Sequence, residues 1–118
     1  MKKYSKKIQN ELRRLAGIAY ERDMEKALSE LESHFKDWRS GVLSPHDLND
    51  LIHKHHDGIS RNLWKFYTVS PEVTVPQSVV DGTIREKEIP KEVLEYIADS
   101  VAFYQEKEQT INKNPPDN

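Results

Sequence analysis

The chain has 118 residues, of which 36% are hydrophobic and 32% charged, a formal net charge of −2 and no cysteine. This composition favours a single domain of amphipathic helices, and it excludes a disulfide framework and thiolate chemistry. Because no apolar segment follows the basic N-terminus and no apolar run reaches about 20 residues, we expect a cytoplasmic protein without a membrane partner.

A long first helix is predicted from about Tyr4 to Arg39, where apolar residues recur at helical spacing. The stripe has two parts that point in different directions on a helical wheel, and Arg22 and Asp23 end the first part. One straight helix facing one neighbour cannot bury both parts. Either the helix breaks near Gly17–Asp23, or its halves pack on different neighbours. The first part comprises Ile8, Leu12, Leu15 and Ala19, and the second comprises Tyr20, Met24, Ala27, Leu28, Leu31, Phe35 and Trp38.

The clearest local signal joins the first helix to the second. Gly41 suits the position just after a helix C-terminus, while Ser44 suits an N-cap and Pro45 the first helical position. Asp47 suits the acidic member of a capping box. A connector of about four residues predicts an antiparallel helical hairpin. The predicted contact joins Leu31, Phe35 and Trp38 to Leu48, Ile52 and His55.

The second helix should run from Pro45 to about Tyr67, with a continuous apolar stripe. Its members are Leu48, Leu51, Ile52, His55, Ile59, Leu63 and Phe66. Gly58 lies inside this stripe. Because His55 is at its centre, we expect a core histidine rather than a catalytic base.

Residues 71–89 allow two interpretations. Val73-Thr74-Val75 resembles a strand, and Val79–Ile84 could form a hairpin. We favour a short helix from about Pro76 to Asp81 with Gly82 just past its end, because an isolated two-stranded hairpin is only marginally stable.

The last long helix should start at Pro90, and Ile111 could extend it. Its stripe comprises Val93, Leu94, Ile97, Val101 and Tyr104. The predicted fold is therefore all-α: the antiparallel hairpin, a short helix or irregular connector, and a C-terminal helix. We expect one helical domain over residues 1–111 and a disordered tail over residues 112–118.

The outer face of the second helix carries a weak metal-ligand pattern. His46, Asp50, His53 and Asp57 follow at steps of 4, 3 and 4 and share a face opposite the apolar stripe. A metal site needs three or four convergent ligands held in place by neighbouring groups. We therefore predict no metal and no cofactor, and a solvated face with His53 and Asp57 loosely paired.

Charge is distributed unevenly along the chain. Residues 1–14 carry six basic residues and one acid, a net of +5, whereas residues 86–118 carry eight acids and four lysines, a net of −4. The basic residues suit a nucleic-acid surface, but no second basic element accompanies them. The two ends could instead attract each other. The nucleic-acid candidates are Lys2, Lys3, Lys6, Lys7, Arg13 and Arg14.

The sequence contains no nucleotide-binding motif and no nucleophile elbow, and its acids do not form a recognisable catalytic pair. An enzymatic function is therefore unsupported. We predict a small non-catalytic interaction protein, a regulatory or adaptor subunit that forms a homo-oligomer or binds a protein partner. A nucleic-acid-associated regulator using the basic N-terminal helix is the first alternative, and a metal-binding protein using the His/Asp face is the second. The second helix is long enough to cover the first only back to Leu15–Ala19. A second subunit or the last helix must therefore cover the earlier residues Ile8 and Leu12. The partner-binding candidates are Ile8, Leu12, Trp64, Tyr96 and Phe103.

Overall fold

The structure, a computed structural model, describes residues 5–107 and Lys113. Its regular elements are all helices, and the described residues contain no strand, which confirms the all-α class. The helices are α1 (Lys6–Arg39), α2 (Pro45–His55), α3 (Arg61–Tyr67), α4 (Pro71–Val80) and α5 (Lys91–Lys107). A π-helical turn, His56–Ser60, joins α2 to α3, and a 3-10 turn, Glu86–Glu88, precedes α5.

Several predictions fall partly on residues that the structure does not describe. Tyr4, Ile111 and all of the predicted tail 112–118 except Lys113 lie outside the described residues. The division into a domain over residues 1–111 and a tail stays a prediction. Helix α2 contacts α1, while the antiparallel pairing of the two helices also stays a prediction.

Helix α1 is continuous through Gly17–Asp23, so of the two alternatives the break does not occur, and the two halves pack on different neighbours. The side chain of Ser5 caps the helix by accepting the Ile8 N–H at 3.2 Å. The first half of α1 packs on α4 and α5. Helix α1 also contacts α2 and α3. One continuous helix thus contacts α2, α3, α4 and α5.

The main core lies between the first half of α1, helix α4 and helix α5. Its buried members are Leu12, Leu15, Ala19, Val75, Ile84, Ile89, Val93, Ile97 and Val101. The predicted stripe of the last helix therefore covers the first stripe of α1 within the same chain. A second subunit is not needed to cover Leu12, which is buried here.

The connector between α1 and α2 has the predicted local geometry. Gly41 has a φ of +85°, a conformation that glycine adopts without a steric cost. The N–H groups of Val42 and Leu43 donate to the Asp37 carbonyl at 2.9 and 3.1 Å, which satisfies the end of α1. Ser44 caps α2 by accepting the Asp47 N–H at 3.0 Å.

Helix α4 begins at Pro71 rather than at the predicted Pro76, which lies inside it. The strand-like interpretation of Val73-Thr74-Val75 is wrong, because these residues are helical. Burial decides the outcome: residues 74–78 are all buried, and tertiary packing outweighs the weak β preference of valine and threonine. The predicted end is confirmed, with Gly82 just past it at a φ of +87°.

Candidate functional site

A polar pocket lies where α1, α3 and the C-terminal end of α4 meet. We call it the ammonium pocket and define it by Asp23, Tyr67, Ser78 and Asp81, which surround the side chain of Lys113. The Lys113 Nζ lies 2.9 Å from Asp23 Oδ2, Asp81 Oδ2 and Tyr67 Oη, and 3.3 Å from Ser78 Oγ. Only 11% of the Lys113 side chain is exposed. Four oxygens from three elements thus converge on one nitrogen.

Aromatic rings form the apolar wall of the ammonium pocket. The Lys113 Nζ lies 4.7 Å from the ring centroid of Phe66 and 5.1 Å from that of Tyr67. A cation within about 6 Å of a ring face is attracted by the ring quadrupole. Tyr20 stacks on Tyr67 with centroids 4.7 Å apart, and Phe66 meets Tyr67 edge-on at 4.8 Å. These contacts hold the Tyr67 ring in place.

Hydroxyl groups orient the two carboxylates of the pocket. Tyr67 Oη donates to Asp23 Oδ2 at 2.5 Å. Thr83 Oγ1 donates to Asp81 Oδ1 at 2.6 Å and lies 3.4 Å from Asp23 Oδ1. The Thr83 N–H also donates to Asp81 Oδ1 at 3.0 Å. The acids are therefore positioned by groups other than Lys113.

Arg22 connects the loop that carries Thr83 to α1. Its Nη1 donates to the Thr83 carbonyl at 2.9 Å, and its guanidinium pairs with both carboxylate oxygens of Glu88. Glu88 also accepts the Arg85 N–H at 2.8 Å. The hydrogen bonds from Arg22 and Arg85 lower the pKa of Glu88 to about 2. This bidentate pair holds the loop against the helix that supplies Asp23.

The protonation states favour binding of a cation over proton transfer. Burial and the hydrogen bond to Asp23 raise the pKa of Tyr67 to about 12. Burial by itself lowers the pKa of Lys113, but its hydrogen bonds to Tyr67, Asp23 and Asp81 outweigh burial and raise that pKa. At neutral pH the phenol is neutral and the amine is charged, so neither group is poised as a base or nucleophile.

A cleft of about 260 Å³ opens beside the ammonium pocket and shares Asp23 and Asp81 with it. Its apolar lining includes Ile59 and Leu63, and its charged lining includes Glu30. Ile59 belongs to the π-helical turn between α2 and α3. The cleft thus combines apolar side chains with charged ones, and Lys26 lines it as well as the acids.

A second surface feature is an exposed apolar strip on the second half of α1. We call it the exposed flank and define it by Met24, Leu28 and Phe35, which are 39%, 54% and 39% exposed. Ala27 is buried on the same helix, and Trp38 is half-buried. At about 100° per residue, the exposed flank lies roughly 60° around the helix from these covered positions. Phe35, which we predicted to pack on the second helix, is therefore only partly covered.

The predicted partner-binding residues lie in different environments. Trp64 and Phe103 are 59% and 52% exposed and belong to different helices, α3 and α5. Leu12 is buried in the core, so it is not available to a partner, and Ile8 packs against the same core. Tyr96 is half-buried, and its hydroxyl donates to Glu72 Oε2 at 3.2 Å. The structure does not unite the five candidates in one patch.

The described basic candidates are exposed, but several of them contact polar or acidic side chains. Lys2 and Lys3 lie outside the described residues, while Lys6, Lys7, Arg13 and Arg14 are exposed. Arg14 pairs with Glu11 at 2.9 Å, and Arg13 donates to Asn10 at 3.4 Å. Lys7 lies 3.4 Å from Glu92 of α5. This last pair joins the basic N-terminal region to the acidic C-terminal one.

The candidate metal ligands His46, Asp50, His53 and Asp57 are all exposed. Across residues 5–107 and Lys113, no group of three or more His, Cys, Asp or Glu residues is arranged to hold a metal ion. His55, which we expected in the core, is half-buried. The His/Asp pattern therefore has no convergent geometry in the described part of the chain.

The ammonium pocket is not predicted from the sequence, although one signal for it is visible. Arg22 and Asp23 interrupt the apolar stripe of α1, an interruption that we interpret above as a helix break or a change of packing direction. In the structure Arg22 anchors the loop and Asp23 enters the pocket. Asp23 and Lys113 are 90 residues apart, so no local pattern connects them.

The described helices include none that combines the length and apolar character needed to cross a bilayer. No protein-family model, curated protein or solved structure matches the chain.

Proposed function

We propose that the protein is a small non-catalytic interaction protein, a cytoplasmic regulatory or adaptor subunit, that self-associates through the exposed flank of α1. The exposure of Met24, Leu28 and Phe35 carries this proposal, because clustered exposed apolar residues are typical of interaction sites. In this proposal α1 and α2 pair as an antiparallel hairpin, and a second copy covers the side of α1 that the hairpin leaves open.

The residues around the exposed flank favour an antiparallel second copy. Met24 and Phe35 are placed symmetrically about the point between Ser29 and Glu30, and Leu28 and Leu31 share the same midpoint. A two-fold axis through that point would place each apolar residue opposite its counterpart. The apolar surface is therefore self-complementary along the helix.

Some of the charges beside the exposed flank are divided by the same centre. Glu21 and Glu25 precede it, whereas Lys36 and Arg39 follow it, and all four are exposed. In an antiparallel helix pair, residues on one side of the interface meet residues on the same side of the partner helix. Each acid would then lie near a base of the other copy, which supports a second copy as the partner.

The two alternative functions have less support. The pairing of Arg14 with Glu11 and of Lys7 with Glu92 reduces the positive charge that a nucleic acid would meet. The exposed His46 and His53 have no convergent third ligand among the described residues. Salt-dependent binding to nucleic acid and a zinc titration test these two alternatives directly.

A charge-exchange experiment tests the proposed interface. We expect a dimer in sedimentation equilibrium at about micromolar concentration for the wild type. Glu25→Lys and Lys36→Glu should each weaken the dimer, because like charges then face each other across the two-fold axis. The double variant should recover most of the loss, since it restores an opposite-charge pair. A monomeric wild type contradicts self-association, and a double variant as weak as the single ones contradicts the antiparallel pairing.

Apolar variants provide the matched control. Leu28→Asp occurs twice in a symmetric interface, and we expect it to weaken the dimer by at least about tenfold, equivalent to about 1.4 kcal/mol. Val42→Asp alters an apolar side chain that is 76% exposed in the connector, outside the exposed flank, and it should leave the dimer unchanged. Equal effects of the two variants would locate the interface elsewhere.

A further inference from the structure

We infer that the ammonium pocket is a binding site for an external primary alkylammonium group, carried by a protein lysine or a polyamine, and that Lys113 fills it as a replaceable internal ligand. This inference does not depend on the proposed self-association. It starts from a pocket whose acids, hydroxyls and rings are organised by contacts that do not involve Lys113.

The pocket requires a cation. Asp23 Oδ2 and Asp81 Oδ2 are each 2.9 Å from the same nitrogen, so the two oxygens lie within about 6 Å of each other. The adjoining cleft is lined by three acids, Asp23, Glu30 and Asp81, and by Lys26 besides Lys113. Without Lys113, three negative charges and one positive charge leave a net of −2. Two fixed carboxylates in a partly buried site attract a replacement cation strongly.

The geometry selects a primary ammonium. A primary ammonium has three N–H donors on one compact nitrogen, and here four oxygens surround that nitrogen at 2.9–3.3 Å. A guanidinium spreads its donors over a planar fork, and a quaternary ammonium has no N–H to donate. The Tyr67 hydroxyl accepts a hydrogen bond from the ammonium group. The ring faces of Tyr67 and Phe66 attract its positive charge.

In this inference Lys113 is a replaceable occupant, because the acids and hydroxyls of the pocket also contact one another without it. It follows α5, which ends at Lys107, and it is not part of the hydrophobic core. Helices α1, α3 and α4 with the following loop supply every other group of the pocket. Because Lys113 is covalently tethered, it competes at a high effective concentration and lowers the apparent affinity for an external amine.

The adjoining cleft gives an external ligand space beyond its ammonium group. Ile59 and Leu63 can contact the methylene groups of an alkyl chain, and Glu30 can accept a hydrogen bond from a second amine. A polyamine would use both acidic ends of the cleft, whereas a protein lysine would use the pocket and the apolar lining. The two sources share the same chemistry at Asp23 and Asp81.

Isothermal titration calorimetry on the full chain tests this inference with two probes, Nα-acetyl-lysine amide and spermidine. We expect Lys113→Ala to bind at least one probe about tenfold more tightly than the wild type, because the internal competitor is absent. Lys107→Ala, which removes an exposed lysine at the end of α5, should bind as the wild type does. A preference for spermidine assigns the site to polyamines, and a preference for the lysine probe assigns it to protein lysines.

Two further measurements test the roles of the amine and of Asp81. Nα-acetyl-norleucine amide has the same alkyl chain without the amine, and it should not bind Lys113→Ala. Adding Asp81→Asn to Lys113→Ala should abolish binding of both probes while circular dichroism shows a folded chain. Binding of the norleucine probe as strong as that of the lysine probe overturns the inference, and so does a Lys113→Ala variant that binds both probes no more tightly than the wild type.

Discussion

The contrast between the two halves of α1 predicts very different costs for the same substitution. Leu15 is 1% exposed in the core between α1, α4 and α5, whereas Leu28 belongs to the exposed flank. Leu15→Ala removes a fully buried side chain and leaves a cavity, so it should lower the free energy of unfolding by about 3–5 kcal/mol. Leu28→Ala should cost less than about 1 kcal/mol, because water already contacts half of the side chain. Phe35→Ala should fall between them, at about 2–3 kcal/mol after scaling by its covered fraction.

Urea denaturation followed by circular dichroism measures these differences, provided that each variant is unfolded at two protein concentrations. A cost for Leu28→Ala that grows with concentration would indicate that a second copy covers Leu28, as we propose, because binding to the native state adds stability by mass action. A concentration-independent cost equal to that of Leu15→Ala would refute the reasoning, since Leu28 would then be buried within the monomer.

Three further predictions concern pH and metal. The raised pKa of Tyr67 implies stability that is present below pH 10.0 and should be lost as pH rises through about 12, and the raised pKa of Lys113 implies a loss in the same direction. Tyr67→Phe should show a smaller loss in urea midpoints. The lowered pKa of Glu88 stabilises the fold above pH 4.5, and this stability should be lost as pH falls towards about 2. The Arg22→Gln variant should lose less stability over this range, measured as the urea midpoint. A chelator should leave the melting temperature unchanged, and a decrease of more than about 4 °C would contradict our prediction that no structural metal binds.

Local sequence signals predicted the helix ends well. The Gly41 turn, the Ser44 cap and the first-position Pro45 depend on contacts within a few residues, so their chemistry can be recognised without the fold. The same holds for Gly82, just past the end of α4. The predicted start of α4 was wrong, because burial by distant elements decides between strand and helix in this segment.

Periodicity identified the two apolar stripes of α1, but not which helices cover them. The two stripes correctly required either a broken helix or two sets of neighbours, and only the packing of α4 and α5 on the first half decided between these alternatives. The second stripe is wider than the surface that its neighbours cover, so Met24, Leu28 and Phe35 stay exposed. A wheel gives the direction of a side chain, whereas coverage depends on the position of another helix.

The sequence by itself determined the all-α class, the caps and the main core stripes, because each depends on propensity and spacing within one element. Only the tertiary structure decided the ammonium pocket. Its acids come from α1 and from the end of α4, its rings from α3, and its cation from beyond α5. Asp23 and Lys113 gain their roles from a contact across 90 residues of chain, and such contacts arise only when the packed helices bring distant segments together.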